Sequence, residues 1–290
     1  AKLGKLARAA MDTWGKDEAA FAKLVGLKAP GGDAGAALAG ELARRVREKL
    51  QREPVEKTCI DFEDGYGLRP DEEEDADAIR TGAELARAPR GERPIVGIRV
   101  KAFAPATVRR AARTLDLFVT TLARATGGTL PEGFTVTLPK VARTAEVTAL
   151  ASALGTLEET LGIVSGSIGI ELMVETPRAI VDSEGRLALS SLVAAAGGRC
   201  VAAHLGAYDL TASLGVTAGE QRLDHPACDV ARLLMQLSLT GTGVVVVDGA
   251  TTMLPIPRHR DTPDKPLTDA QRAVNERDVH SAWAMHARAV

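Results

Sequence analysis

Three carboxylates fall within four consecutive residues at Asp61-Phe62-Glu63-Asp64, and the turn Gly65-Tyr66-Gly67 follows them. Like charges this close repel, so a chain that keeps such a cluster at the end of an apolar stretch either solvates it or sets a cation beside it. Three more chemically capable residues stand at comparable points further on: Arg99 after Val96-Gly97-Ile98, Glu175 after the run from Ile168 to Val174, and Asp209 after the run from Ala202 to Tyr208. A hard divalent cation takes carboxylate oxygens, and Mg²⁺ uses one or two protein carboxylates together with waters and substrate oxygens. Glu175 and Asp209 could supply those two. Glu63 and Asp64 could order the metal's waters or act as acid and base, and Arg99 could fork onto a substrate carboxylate. A 2-oxo acid chelated in this way would have its enolate stabilised by the metal, which is the chemistry of making or breaking a C–C bond beside a carbonyl.

For these residues to meet, their strands must end on one edge of a sheet. The hydrophobic pattern predicts strands over residues 57–64, 95–103, 134–141, 167–175, 200–206 and 243–247. Helices are predicted between them over 71–87, 105–126, 145–161, 190–196 and 224–239, with a helical turn at 177–181. Strands that alternate with helices imply a parallel sheet, and such sheets carry their sites at the C-terminal ends of the strands. Residues 1–50 read as helices broken at Ala29-Pro30-Gly31-Gly32-Asp33, residues 51–254 as a (β/α) barrel core, and residues 255–290 as a loop and a C-terminal helix. The expected fold is a (β/α)₈ TIM-type barrel that lacks its first and last strands in this chain; an open doubly wound sheet is the alternative. Strand alternation puts Glu171, Met173 and Glu175 on one face, opposite Ile168, Ile170, Leu172 and Val174. The same test sets Arg99 and Lys101 against Ile98 and Val100, and Asp61 and Glu63 against Ile60 and Phe62. The bend at Gly206-Ala207 interrupts the phase that would place Asp209.

Composition narrows the field. The 290 residues are 45% hydrophobic and 26% charged, with a net charge of −2, which gives no electrostatic case for nucleic acid or an anionic membrane. No apolar run reaches the roughly 18 residues of a membrane span, and no signal-peptide core opens the chain, so a cytoplasmic protein is expected. Cys59, Cys200 and Cys228 fit neither a disulfide framework nor a zinc site; Cys59 and Cys200 fall in strands and are expected to be buried structural thiols. EF-hand, P-loop and nucleophile-elbow patterns are absent. Lys140, after Pro139, is a candidate Schiff-base lysine, but a structural or site-supporting lysine is the preferred reading. His204 reads as a core or lumen histidine rather than a metal ligand.

The order of these motifs resembles a known superfamily. Asp61-Phe62-Glu63-Asp64, Ile98-Arg99-Val100, Leu138-Pro139-Lys140, Met173-Val174-Glu175-Thr176-Pro177 and Leu205-Gly206-Ala207-Tyr208-Asp209-Leu210 resemble the HpcH/HpaI aldolase and citrate lyase β-subunit superfamily, which includes malyl-CoA lyase-like enzymes. The likeness runs over roughly residues 57–250. It points to a divergent subgroup: Val100-Lys101 stands where the citrate lyase branch shows an Asn, and Tyr208 replaces a common acidic residue. The resemblance implies a Mg²⁺-dependent lyase, with Mn²⁺ as the alternative ion, assembled as a homotrimer or hexamer. It implies Glu175 and Asp209 as metal ligands, Arg99 with Gly206 and Ala207 as the substrate-binding set, and Glu63 and Asp64 as the acidic strand-end pair. The expected substrate is a short 2-oxo or hydroxy acid, free or as its acyl-CoA thioester. Two other functions stay open on the sequence: a phosphoenolpyruvate-handling phosphotransferase on a similar barrel, and a catalytically silent binding or assembly subunit.

Overall fold

The computed structural model describes residues 2–28, 30–88, 94–251 and 253–289. Ala29, in the break expected between the first helices, lies outside them. The chain forms two compact units. One takes the described residues of Ala1–Glu56, Arg222–Asp224 and Ala250–Val290; the other takes Lys57–Gln221 and His225–Gly249.

The first unit is helical, with α1 (Lys2–Trp14), α2 (Glu18–Leu24) and α3 (Asp33–Arg52) joined by the last helix of the chain. Asp17 caps α2 by accepting a hydrogen bond from the Ala20 amide, which satisfies one of the helix's orphan N–H groups. Met11, Phe21 and Ala43 form the unit's buried cluster, and the Trp283 ring meets Phe21 edge-on at 5.8 Å.

The second unit carries the sheet. Its elements in chain order are β1 (Lys57–Asp61), α4 (Asp71–Arg87), β2 (Ile95–Arg99), α5 (Val108–Thr126), β3 (Thr135–Leu138) and α6 (Thr144–Leu161). There follow β4 (Gly169–Val174), α7 (Pro177–Ile180), α8 (Leu189–Ala195), β5 (Cys200–Leu205), α9 (Ala207–Ser213), α10 (Pro226–Leu239) and β6 (Val245–Val247). Helix α11 (Asp269–Ala289) returns to the first unit.

All five strand pairings are parallel, and the spatial order is β1-β2-β3-β4-β5-β6. A doubly wound sheet reverses its strand order at a switch point, so the sequential order excludes that alternative. Right-handed crossovers in sequential order place the connecting helices on one face and free the other, the arrangement of a partial TIM-like barrel. Among the described residues it has six strands, not eight. The helix-side residues make the core: Ile98, Val136, Leu138, Ile170, Leu172 and Val174 are buried, as are Leu115, Phe118 and Leu122 on α5 and Leu150 and Leu154 on α6. Phe118 and Phe134 stack with ring centroids 6.1 Å apart. The opposite, lumen face of the sheet carries the polar residues.

Two local features explain where the sequence pattern misleads. The pairing register shifts between Ile170 and Glu171, so that Ile170 faces Cys200 while Glu171 faces Ala202. The extra residue in β5 breaks its alternation. Strand β2 ends at Arg99, so alternation no longer governs Lys101.

Candidate functional site

The lumen face holds polar side chains at successive heights. Lowest is Lys57, whose Nζ donates to Glu171 Oε2 at 2.7 Å, passing over Gly97, where a Cβ would lie 3.4 Å from Lys57 Cε. Thr137 Oγ1 donates to the same Glu171 oxygen at 2.6 Å, and His204 Nδ1 lies 3.6 Å from Glu171 Oε1. Burial alone would raise the Glu171 pKa; His204, Lys57 and Thr137 overcome it and hold the carboxyl at about 2. His204 is therefore a lumen histidine beside a carboxylate, as the sequence suggested.

Above this layer, Asp61 organises the acidic turn. Its Oδ1 accepts from the Glu63 amide at 3.0 Å and its Oδ2 from the Gly65 amide at 2.8 Å. Gly65 has no room for a side chain, since a Cβ there would lie 2.5 Å from Asp61 Oδ2. Arg99 closes the same carboxylate from the other side, with Nε and Nη2 at 2.7 and 2.5 Å. The guanidinium fork expected to hold a substrate carboxylate is thus turned onto Asp61. Only Nη1 looks onward, 3.6 Å from Glu63 Oε2 and 3.5 Å from Met173 Sδ. Asp61 and Arg99 are direct register partners in β1 and β2.

At the C-terminal edge of the sheet the structure brings together Glu63, Asp64, Glu175 and Asp209 around Lys140. The Lys140 ammonium lies 2.6 Å from Glu63 Oε1, 2.8 Å from Asp64 Oδ2 and 3.5 Å from Asp209 Oδ2. Its backbone amide donates to Glu175 Oε1 at 2.6 Å. Lys140 adopts φ 52, the only positive φ of a non-glycine residue among the described residues. Such a conformation costs on the order of 1–2 kcal/mol and persists where the surroundings enforce it. Desolvation opposes the Asp64 charge, but the hydrogen bond from Lys140 keeps its pKa below the ordinary carboxylate range. Glu175 is only 2% exposed, and burial, with the charges of Asp209 and Glu63 added, pushes it up to about 7 against the pull of Lys140. Glu175 presses on Gly206, where a Cβ would lie 2.4 Å from Glu175 Cβ. Ala207 is buried at the start of α9.

Three expectations need correction. Asp209 lies in the first turn of α9 rather than at a strand end, because the chain turns helical directly after Gly206. Lys101 is buried and pairs with none of the four carboxylates, donating instead to the Phe62 carbonyl at 2.8 Å and to Glu74 Oε2 on α4 at 2.7 Å. Cys59 is exposed rather than buried, on a strand that has one neighbour among the described residues, while Cys200 is half-buried and Cys228 buried. Lys140, expected as a structural or site-supporting lysine, stands closer to the carboxylates than that reading placed it. It lies within the cluster itself, and the signal for it was the acidic excess that asks for a cation.

Among the described residues no group of three or more His, Cys, Asp or Glu side chains converges to hold a metal unaided. An ion of the Mg²⁺ type needs only one or two protein oxygens, and Glu175 and Asp209 are the pair expected from the sequence to offer them. A cavity of about 380 Å³ opens beside the cluster, lined by Glu63, Asp64, Lys101 and Lys140 together with Leu68 and Ala104.

A family model described as "Domain of unknown function (DUF6986)" matches residues 1–290. No curated protein matches the sequence. Among solved structures, a citrate lyase from Burkholderia xenovorans LB400 is similar at 19% identity with a TM-score of 0.54, covering 83% of this chain and 72% of that one. Haloferax volcanii malate synthase, in its native form at 3 mM glyoxylate, is similar at 15% identity with a TM-score of 0.53, over 84% of this chain and 70% of that one. Its magnesium/glyoxylate complex gives 17% identity and a TM-score of 0.52, over 77% of this chain and 62% of that one, so the chain spans less than two thirds of that solved chain. These likenesses speak for the fold, one found in citrate lyase-like and malate synthase proteins. No helix among the described residues is long and apolar enough to cross a membrane.

Proposed function

This chain belongs to the DUF6986 family, a domain family of unknown function, and we propose that it is a Mg²⁺-dependent C–C lyase or aldolase acting on a short 2-oxo or hydroxy acid, free or as its CoA thioester. The observation that carries the reading is the excess of carboxylates at the C-terminal edge of the sheet. Glu63, Asp64 and Asp209 share one ammonium, that of Lys140, Glu175 accepts only that residue's amide, and the neighbouring Arg99 gives two of its three nitrogens to Asp61. A site left this negative is built to receive a cation, and the cation brings an anionic substrate with it. When bound, Mg²⁺ supplies Lewis-acid polarisation of the substrate's carbonyl oxygen.

The chain's own groups divide the remaining work. Arg99, locked in orientation by Asp61, presents Nη1 to a substrate carboxylate. Glu63, whose pKa burial raises above the ordinary carboxylate value, can take the proton of a hydroxyl at its Oε atoms. As that hydroxyl becomes a carbonyl, the C–C bond breaks, its electron pair passes to the α-carbon of the 2-oxo fragment, and Glu63 returns the proton to that carbon. The turn wound on Asp61 fixes Glu63 against the sheet, so the acid–base group does not have to be ordered during the reaction.

Thermal-shift titration with oxalate, a mimic of the enolate, tests the proposal. Saturation at a hundredfold over the dissociation constant adds about 2.7 kcal/mol of stability. A rise in Tm that requires both Mg²⁺ and oxalate, and that disappears in Glu175→Gln, is the expected result. A shift that ignores Mg²⁺, or one that survives in Glu175→Gln, would sink the metal assignment; no shift at all would sink the lyase reading.

A further inference from the structure

Lys140 is the residue through which the whole cluster is tied. Its ammonium reaches Glu63, Asp64 and Asp209, and its amide reaches Glu175, so one side chain and one peptide unit meet carboxylates from three separate segments. Lys140 makes these contacts with its backbone at φ 52, a conformation that side-chain-bearing residues rarely adopt. The other nearby cations are held chiefly by other partners: Arg99 forks onto Asp61 and reaches the cluster only through Nη1, 3.6 Å from Glu63 Oε2, Lys101 is held by Glu74 and the Phe62 carbonyl, and Lys57 is held by Glu171.

We propose that Lys140 is the site's built-in counter-cation, a positioning residue that holds Glu63, Asp64, Glu175 and Asp209 together without a divalent ion and gives up part of its place when one binds. The inference rests on the divalent-cation reading above and goes beyond it, because it assigns a competitor within the chain. The reason is electrostatic. Mg²⁺ held by Glu175 and Asp209 arrives where an ammonium already lies 3.5 Å from Asp209. Two positive charges at that range repel strongly in a partly buried site, so either the ammonium withdraws toward Glu63 and Asp64 or the ion binds more weakly. Lys140 therefore works against the metal it prepares the site for. A lysine that merely braced the metal site would have the opposite effect, since its removal would loosen the ligands and weaken binding.

The sign of that effect is measurable without any activity. Calorimetric titration with Mg²⁺ alone, supported by Mn²⁺ paramagnetic resonance, would compare the unaltered chain with Lys140→Met and Lys140→Arg. The expected result is binding about tenfold tighter or more in Lys140→Met, with Lys140→Arg close to the unaltered chain. In chelator the Tm of Lys140→Met should fall below that of the unaltered chain, and Mg²⁺ should restore it. Equal or weaker Mg²⁺ binding by a folded Lys140→Met would overturn the proposal. A second measurement covers the case in which that variant does not fold. Acetylation of the unaltered chain, followed by mass spectrometry, should show Lys140 becoming more reactive at saturating Mg²⁺ while Lys57 and Lys101 do not change. Constant Lys140 labelling would overturn it equally. If Mg²⁺ binds neither protein, the divalent-cation reading itself has failed and this inference falls with it. That outcome is distinct from binding that is present but not tightened.

Discussion

Two clusters of charge share the lumen face of one sheet, and their chemistry diverges. In the lower, one carboxylate, Glu171, meets Lys57, Thr137 and His204, and its pKa is pulled to about 2. In the upper, three carboxylates meet one ammonium while a fourth, Glu175, accepts only the Lys140 amide and is pushed up to about 7. Both glutamates are nearly inaccessible, on the same strand side, four residues apart. The difference lies in how far partners compensate for burial. A compensated buried charge is structural, whereas an uncompensated one stores free energy that a bound cation can recover.

The comparison would be broken first at its lower half. Glu171→Gln should destabilise the fold by about 2–3 kcal/mol, because it leaves the half-buried Lys57 ammonium without its counter-charge. The effect depends on pH in a defined direction. The folded-state pKa of Glu171, about 2, lies below its ordinary value of 4.5, so its stabilisation is complete above that ordinary value and is lost as pH falls toward 2. Urea unfolding of both proteins between pH 7 and 2.5 should show the gap between them closing across that window. A gap that stayed constant would mean that the Glu171 charge contributes nothing to stability.

Much of this arrangement was legible in the sequence. The alternation around Ile168 to Glu175 put Glu171, Met173 and Glu175 together, and the same rule put Asp61 opposite Ile60 and Arg99 opposite Ile98. The structure keeps each of those on the lumen side, because a period-two pattern is imposed by the pleat itself. Helix α4 runs from Asp71 to Arg87 as expected, its start marked by Pro70 and an acidic first turn. What could not be read depends on departures from regular geometry. Lys140 belongs to the cluster only through a left-handed backbone after Pro139, which no periodicity encodes. Asp209 required knowing that β5 contains an extra residue and that the chain turns helical at Ala207. Lys101 was misplaced because the alternation was carried two residues beyond the end of β2.

The upper half is tested next through its packing. Gly206→Ala would set a Cβ 2.4 Å from Glu175 Cβ, an atom that cannot simply swing away, although the Gly206 φ of −96 suits any residue. The expected cost is about 1–3 kcal/mol of overpacking, seen as a lower Tm, with the Mg²⁺-dependent oxalate shift lost as Glu175 is displaced. An unchanged Tm together with an unchanged oxalate shift would show that Glu175 has slack in its placement and that the close approach of Gly206 is incidental.

The smallest expected effect separates the two clusters most clearly. Glu175→Gln keeps the shape of the side chain and an oxygen that can accept the Lys140 amide, but it removes one of four mutually repelling charges. In chelator at pH 8 it should leave stability unchanged or raise it by about 1 kcal/mol, as relief of an uncompensated charge would. The same substitution two pleat repeats lower, at Glu171, should cost stability under those conditions. Denaturant titrations of the two variants side by side decide the matter. Opposite signs mean that the upper cluster is held at the expense of the fold, for a ligand. If both variants lose stability alike, the carboxylates around Lys140 are another satisfied ion network, and the case for a cation there weakens with them.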